Sequence, residues 1–302
     1  MQAITLREVG LRDGLQAEDR ILATDEKLEL LRVLGPTGLK RLEVTSFVHP
    51  KAIPQLADAE ELLTRAQKPP GQVWSALVPN ERGAARAAKA PAIDEWTFFL
   101  SASEAHNQAN VRMSVMDSLK AAAQVADAAL AAGRAISGVV ATSFVCPYAG
   151  ATPVEDVVRV ARGLYRLGYA RLLFGDTIGA ASPRMVRRLV RALQDALPEA
   201  ELGLHFHNTR GQAPANVLAG AAEGVRLFDG SIGGMGGCPY APGATGNVAT
   251  EDLCWLLEAE GYATGLDLPA LASAARTAER LVGRRLPGAV MRTFEELNCN
   301  GD

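Results

Sequence analysis

Short apolar runs alternate with longer amphipathic stretches along most of this chain, and each kind carries its own period. Runs rich in β-branched and aromatic side chains predict strands at ITLREVGL (4–11), RLEVTSF (41–47), VWSALVP (73–79), EWTFFLSAS (95–103), ISGVVATSF (136–144), RLLFGDTIG (171–179), ELGLHFHNT (201–209) and RLFDGSIGG (226–234). Between them the period lengthens to that of a helix. In TPVEDVVRVARGLYRLG, Thr152 is placed to cap, Pro153 takes the first helical position, Glu155 and Asp156 favour the positive end of the dipole, and Gly168 closes the helix. Its stripe of Val157, Ala161, Leu164 and Tyr165 is predicted to pack inward. In SPRMVRRLVRALQDALP, one face carries Val186, Leu189, Val190, Leu193 and Leu197. Arg184, Arg187, Arg188 and Arg191 fall largely on the other, which reads as a solvated helix face.

Eight strand–helix units within about 260 residues match the rhythm of a (β/α)8 TIM barrel, whereas a doubly wound open sheet usually has fewer strands. No linker rich in Pro, Gly or Ser interrupts the pattern. The expectation is one domain over residues 1–302, with the barrel over about 1–260 and additional C-terminal helices over about 261–302, starting at the Asp267-Leu268-Pro269 cap.

Composition narrows the partners. With 48% apolar and 22% charged residues and a formal net charge of −3, the chain has the make-up of a globular protein whose ligands are small molecules. A nucleic acid or an anionic membrane is a poor match for that charge. The N-terminus lacks the basic-then-apolar pattern of a signal peptide, and no run approaches the roughly 20 apolar residues of a membrane span. Cys146, Cys238, Cys254 and Cys299 lie too far apart for a CxxC motif, which suits a reducing compartment; together these features predict a cytoplasmic location.

Candidate chemistry collects where a barrel of this kind keeps its active site, at the C-terminal ends of the strands. Arg12 and Asp13 follow the first strand, Glu43 lies in the second, Asp176 near the end of the sixth, and His205 and His207 near the end of the seventh. Positions i and i+2 of a strand face the same way, so the two imidazoles project together, as two ligands of one metal would. Asp13, before the glycine of RDG, is the best acidic partner. The stretch GGMGGCPYAPGATGN (233–247) follows the eighth strand and holds Cys238 in a glycine-rich loop suited to a lid. His49, His106 and Cys146 also fall on the mouth side; the two histidines read as structural or surface residues, and Cys254, on a helix, as core. Neither GxxxxGK nor a strand-linked GxGxxG is present.

The chain resembles the 3-hydroxy-3-methylglutaryl-CoA lyases through REVGLRDGLQAE (7–18), RLEVTSFVHPKAIPQLAD (41–58), LFGDTIG (173–179), HFHNTRGQA (205–213) and GGCPYAPGATGNVATEDL (236–253). The resemblance implies a divalent cation, magnesium or manganese, held by Asp13, His205, His207 and Asn247. It also implies cleavage of the acyl-CoA substrate to acetyl-CoA and acetoacetate, a step of leucine degradation, in an enzyme that is commonly a homodimer. Under it Arg12 stabilises the enolate oxygen, Cys238 protonates the enolate carbon, and His205 is the first choice to take the hydroxyl proton. Glu43, Asp176 and Glu251 support ligands and substrate. Asn208 stands where the family commonly has Asp and Leu11 where Pro is usual, which leaves room for another 3-hydroxy-3-alkylglutaryl-CoA. The rivals are a condensing synthase acting on an acyl-CoA and a 2-oxo acid, a metallohydrolase barrel, and a catalytically silent metal-binding barrel. The metallohydrolases usually carry their HxH at the end of the first strand, whereas here the pair ends the seventh, and Arg12 and Cys238 together argue against a silent barrel.

Overall fold

The computed structural model describes residues 1–237 and 246–298. Among them, eight parallel strands close into a barrel: β1 (Thr5–Glu8), β2 (Arg41–Ser46), β3 (Val73–Leu77), β4 (Glu95–Ser101), β5 (Ala135–Ala141), and, after a small antiparallel hairpin of β6 (Val145–Cys146) and β7 (Gly150–Ala151), β8 (Arg171–Asp176), β9 (Glu201–Phe206) and β10 (Leu227–Gly230). β1 pairs with both β2 and β10, which closes the ring. The architecture is the expected (β/α)8 TIM barrel.

Every predicted strand is present, and every one stops short of its predicted C-terminal end. The reason is local in the first and seventh. After β1 the chain winds into a π-helical turn, Gly10–Gly14, in which the N–H groups of Arg12, Asp13 and Gly14 all point at the carbonyl of Val9. After β9, His207 leaves the ladder and forms an isolated antiparallel bridge with Asn247. The helix after the hairpin begins at Val154, with Pro153 at the cap position; the Thr152 side chain does not cap it, and the Thr152 N–H donates to Phe144 O instead. Ser182 and Asp267 cap as expected, accepting from the N–H groups of Met185 and Ala270.

The main core lies between the barrel and its helices, where Val157, Ala161, Leu164, Val186, Leu189, Val190 and Leu193 are buried. Arg184, Arg187, Arg188 and Arg191 are exposed on the opposite face of their helix, as predicted. Helix Leu268–Val282 packs on helix Thr24–Leu34 and beneath the turn Ile232–Gly234, so the C-terminal segment buttresses the approach to the glycine-rich stretch. The lumen is unusually charged. Arg7 grips Asp229 with two hydrogen bonds of 2.8 Å, and Glu95 is shared between Arg41 and Arg171. Buried charges of this kind are tolerated because each is paired. Among the described residues, no helix is long and apolar enough to cross a membrane.

Candidate functional site

The π-helical turn after β1 carries the first two candidate side chains, Arg12 and Asp13. Its glycines permit close packing: a Cβ on Gly10 would stand 2.6 Å from Oε1 of Glu8, and one on Gly14 would stand 2.9 Å from Oγ of Ser231. Between them, Arg12 is clamped by two carboxylates, with Nε donating to Oε2 of Glu43 and Nη1 to Oδ1 of Asp13, each at 2.5 Å. Glu43 is fully buried, so the guanidinium is held in one orientation before anything enters the mouth.

Asp13 turns its other oxygen toward the imidazoles. Oδ2 lies 4.0 Å from Nε2 of His205 and 4.0 Å from Nε2 of His207, and accepts from Nδ2 of Asn247 at 2.8 Å. Asp13, His205 and His207 each offer one ligand atom, all within 4.8 Å of one another. The imidazole rings sit 5.2 Å apart, so the paired projection expected of an HxH element survives although only His205 remains in the strand. Among the described residues, Nδ1 of His207 and Oδ1 of Asn247 are buried with no hydrogen-bonding partner. Such atoms cost free energy unless something else satisfies them. A carboxylate oxygen, an amide oxygen and two imidazoles form a donor set that suits a hard or borderline divalent cation.

Electrostatics keep Asp13 ionised and His207 neutral, the form of each that can ligate. Burial opposes ionisation of Asp13, but Arg12, both imidazoles and the Asn247 amide outweigh it and hold the carboxyl well below the usual carboxylate range. For His207, burial and the neighbouring His205 depress the pKa to about 4, which leaves the ring neutral. His205 differs because Asp229 stands behind it, 3.0 Å from Nδ1. Burial lowers its pKa, yet the hydrogen bond and charge of Asp229, with Asp13, outweigh that and raise it. Arg7 and His205 in turn hold Asp229 down to about 2 against the effect of burial. Arg7 and Asp229 therefore form a support behind His205 that sequence reading did not single out. The only sign of it was a charged residue inside each of two apolar strands.

Other predicted residues lie further from the cluster. Both oxygens of Asp176 accept from N–H groups of its own loop, Ala180 at 2.9 Å and Ala181 at 3.0 Å, so this carboxylate braces the loop after β8. Glu251 is fully buried on helix Thr250–Ala259 and accepts from the N–H of Gly233 at 3.0 Å, holding the turn that leads into the glycine-rich stretch. Glu8 ties the same region to β1, accepting from the N–H groups of Gly10 and Ile232 and from Oγ1 of Thr250. Asn208 accepts from the N–H of Ala213, and Leu11 is buried core. Cys146 is buried and accepts from Ser103 Oγ, Cys254 is core, His106 is buried against Ser101, and His49 is exposed; none joins the cluster. Cys238 lies outside the described residues. The described residues flanking its segment are anchored beside the cluster: Met235 O accepts from Nδ2 of Asn247, and Gly246 O accepts from the N–H of Asn208.

Burial raises the pKa of Glu251 to about 8, with the charge of Asp252 adding to the effect. A folded state that keeps a proton the unfolded chain releases loses stability as pH rises between the two pKa values. The thermal midpoint is therefore expected to fall as pH climbs from about 4.5 to about 8, and Glu251→Gln, which can still accept from Gly233, should flatten that slope. Calorimetry across that range checks it; equal slopes in both proteins would place the titration elsewhere.

Residues 3–278 match the HMGL-like family profile. Hydroxymethylglutaryl-CoA lyase YngG of Bacillus subtilis is 42% identical over 292 residues, 97% of each chain. The 3-hydroxy-3-isohexenylglutaryl-CoA/hydroxymethylglutaryl-CoA lyase of Pseudomonas aeruginosa is 40% identical over 281 residues, 93% of each. An HMG-CoA lyase from Acinetobacter baumannii, solved in complex with coenzyme A and 3-methylmalate, superposes with a TM-score of 0.91 at 40% identity, covering 96% of this chain and 94% of that one.

Proposed function

The chain belongs to the HMGL-like family, and from that premise we propose that it is a carbon–carbon lyase that splits 3-hydroxy-3-methylglutaryl-CoA into acetyl-CoA and acetoacetate. The observation that carries the reading is the convergence of Asp13, His205 and His207 on one point, with Arg12 clamped beside them. We assign a divalent cation, magnesium or manganese, to Asp13, His205, His207 and the free Oδ1 of Asn247. Such a cation supplies Lewis acidity, which makes a substrate hydroxyl easier to deprotonate near neutral pH.

The protein's own groups do the rest. Asp229 holds the Nδ1–H of His205 and so turns Nε2 toward Asp13 as a lone pair. Held as a ligand through that nitrogen, His205 has no lone pair left to take the proton of the C3 hydroxyl, so the base is a group outside the ligand set and Asp229 acts by orienting the imidazole. Cleavage of the C2–C3 bond leaves negative charge on the thioester oxygen. Arg12, already oriented by Glu43, meets that charge without reorganising. Protonation of the resulting carbon is assigned to Cys238. A cavity of about 700 Å³ opens beside Gly236 and Gly237; it is lined by Arg285 and by Arg284 and Arg292, whose guanidiniums are held by Glu18 and Glu279, and it offers room for part of an acyl-CoA beside the cluster.

The test is release of acetyl-CoA from 3-hydroxy-3-methylglutaryl-CoA with added magnesium or manganese, run beside condensation of acetyl-CoA with a series of 2-oxo acids. Metal-dependent release without condensation is expected. Condensation without release would replace the lyase with a synthase of the same barrel type.

A further inference from the structure

The mouth of the lumen is built in two halves. On β9, β10, β1, the turn after β1, and β2 it carries His205, Asp229, Arg7, Arg12, Asp13 and Glu43. On β4, β5 and β8 it changes character. Contacts across the lumen establish which side chains face it: Glu95 of β4 reaches Arg41 of β2 and Arg171 of β8, neither a neighbouring strand, and Thr97 meets Ser137 of β5 on the same side. Side chains alternate along a strand, so Phe99 and Ser101 follow on that face, paired in register with Val139 and Ala141. The residues that point the other way, Phe98, Leu100 and Val140, are buried under the helices.

Phe99 and Val139 lie outside that main core, and both are partly exposed, as is Ala141. A phenylalanine that is partly open to solvent from inside a barrel, toward its active-site end, presents apolar surface to whatever enters. The next layer toward the mouth is made of small residues, Ser101, Ala141 and Gly175, and Gly175 pairs directly with His205. Phe99 and Val139 thus floor a recess beneath a layer of small side chains, with His106 packed against Ser101 on one side, and this recess adjoins one of the ligand-bearing positions.

Resting on the lyase reading, we infer that this recess receives the alkyl substituent on C3 of the substrate, and that Phe99 sets the longest substituent admitted. C3 bears a hydroxyl, which belongs with the cation and the imidazoles, and an alkyl group, which has no polar contact to make. The two-sided mouth matches that two-sided carbon. An apolar pocket discriminates a single methylene by about 10- to 200-fold in kcat/KM. Phe99 is thus a specificity residue, while the charged half performs the chemistry.

The experiment compares kcat/KM for the 3-methyl thioester with its 3-ethyl and 3-butyl homologues and with the unsubstituted 3-hydroxyglutaryl thioester. Phe99→Ala is expected to shift the butyl-to-methyl ratio toward butyl by about tenfold or more. Ala141→Val, which fills the recess, should lower the methyl substrate relative to the unsubstituted one by a similar factor. Phe99→Leu serves as a gentler enlargement if the alanine variant does not fold. An active wild type whose ratios do not move in these variants overturns the inference. A wild type that releases acetyl-CoA from none of the thioesters overturns the lyase reading and takes the inference with it.

Discussion

Replacing Asp13 with Asn is expected to strip the site of its cation and to abolish turnover. Asp13 is the one carboxylate in the cluster, and its Oδ2 faces both imidazoles and the Asn247 amide at once. Loss of an outer partner of a metal ligand typically costs 10- to 100-fold in affinity or activity, so loss of a direct ligand should exceed about a hundredfold. The variant also releases Nη1 of Arg12 from its 2.5 Å contact, which loosens the second functional group in the same step. Metal titration by calorimetry together with turnover at saturating metal checks both effects. Undiminished metal affinity in the variant would remove Asp13 from the ligand set.

Arg12→Met is expected to lower kcat by about 10²- to 10³-fold with little change in KM, the loss typical of one removed oxyanion donor. The contact it removes is made to charge that develops only as the carbon–carbon bond breaks, so substrate binding should hardly register it. Equal losses in binding and turnover would contradict the role. The substitution also leaves the buried Glu43 without the partner that Nε provides. Breaking a buried pair on one side costs about 3–5 kcal/mol, so the midpoint of unfolding should fall as well. Adding Glu43→Gln to Arg12→Met separates the two effects: stability should largely return, and turnover should not.

The same residues show how far a chain can be read without its fold. REVGLRDG announced a strand and a charged turn, and HFHN announced two rings on one side. Both readings needed only the geometry of neighbours in sequence. The over-long strand ends came from the same source. Apolar character continues past the last ladder hydrogen bond, but the π-helical turn on Val9 and the bridge from His207 to Asn247 depend on partners outside the run. Asp176 is the instructive case, because its place near a strand end says nothing about what its oxygens bind; both accept from amides of its own loop, within reach of the charge of His205.

By itself, the sequence determined the eight-unit rhythm, the shared face of His205 and His207, and the residue types available at the mouth, since periodicity and propensity act over a few residues. The tertiary structure alone decided which of those residues share a layer. Closure of β1 against β10 brings Arg7 to Asp229 and Asp229 to His205, and the register of β4, β5, β8 and β9 aligns Phe99 with Val139 and Gly175 with His205. Such pairings join positions far apart in the chain, and they follow from the stagger with which a parallel sheet closes on itself.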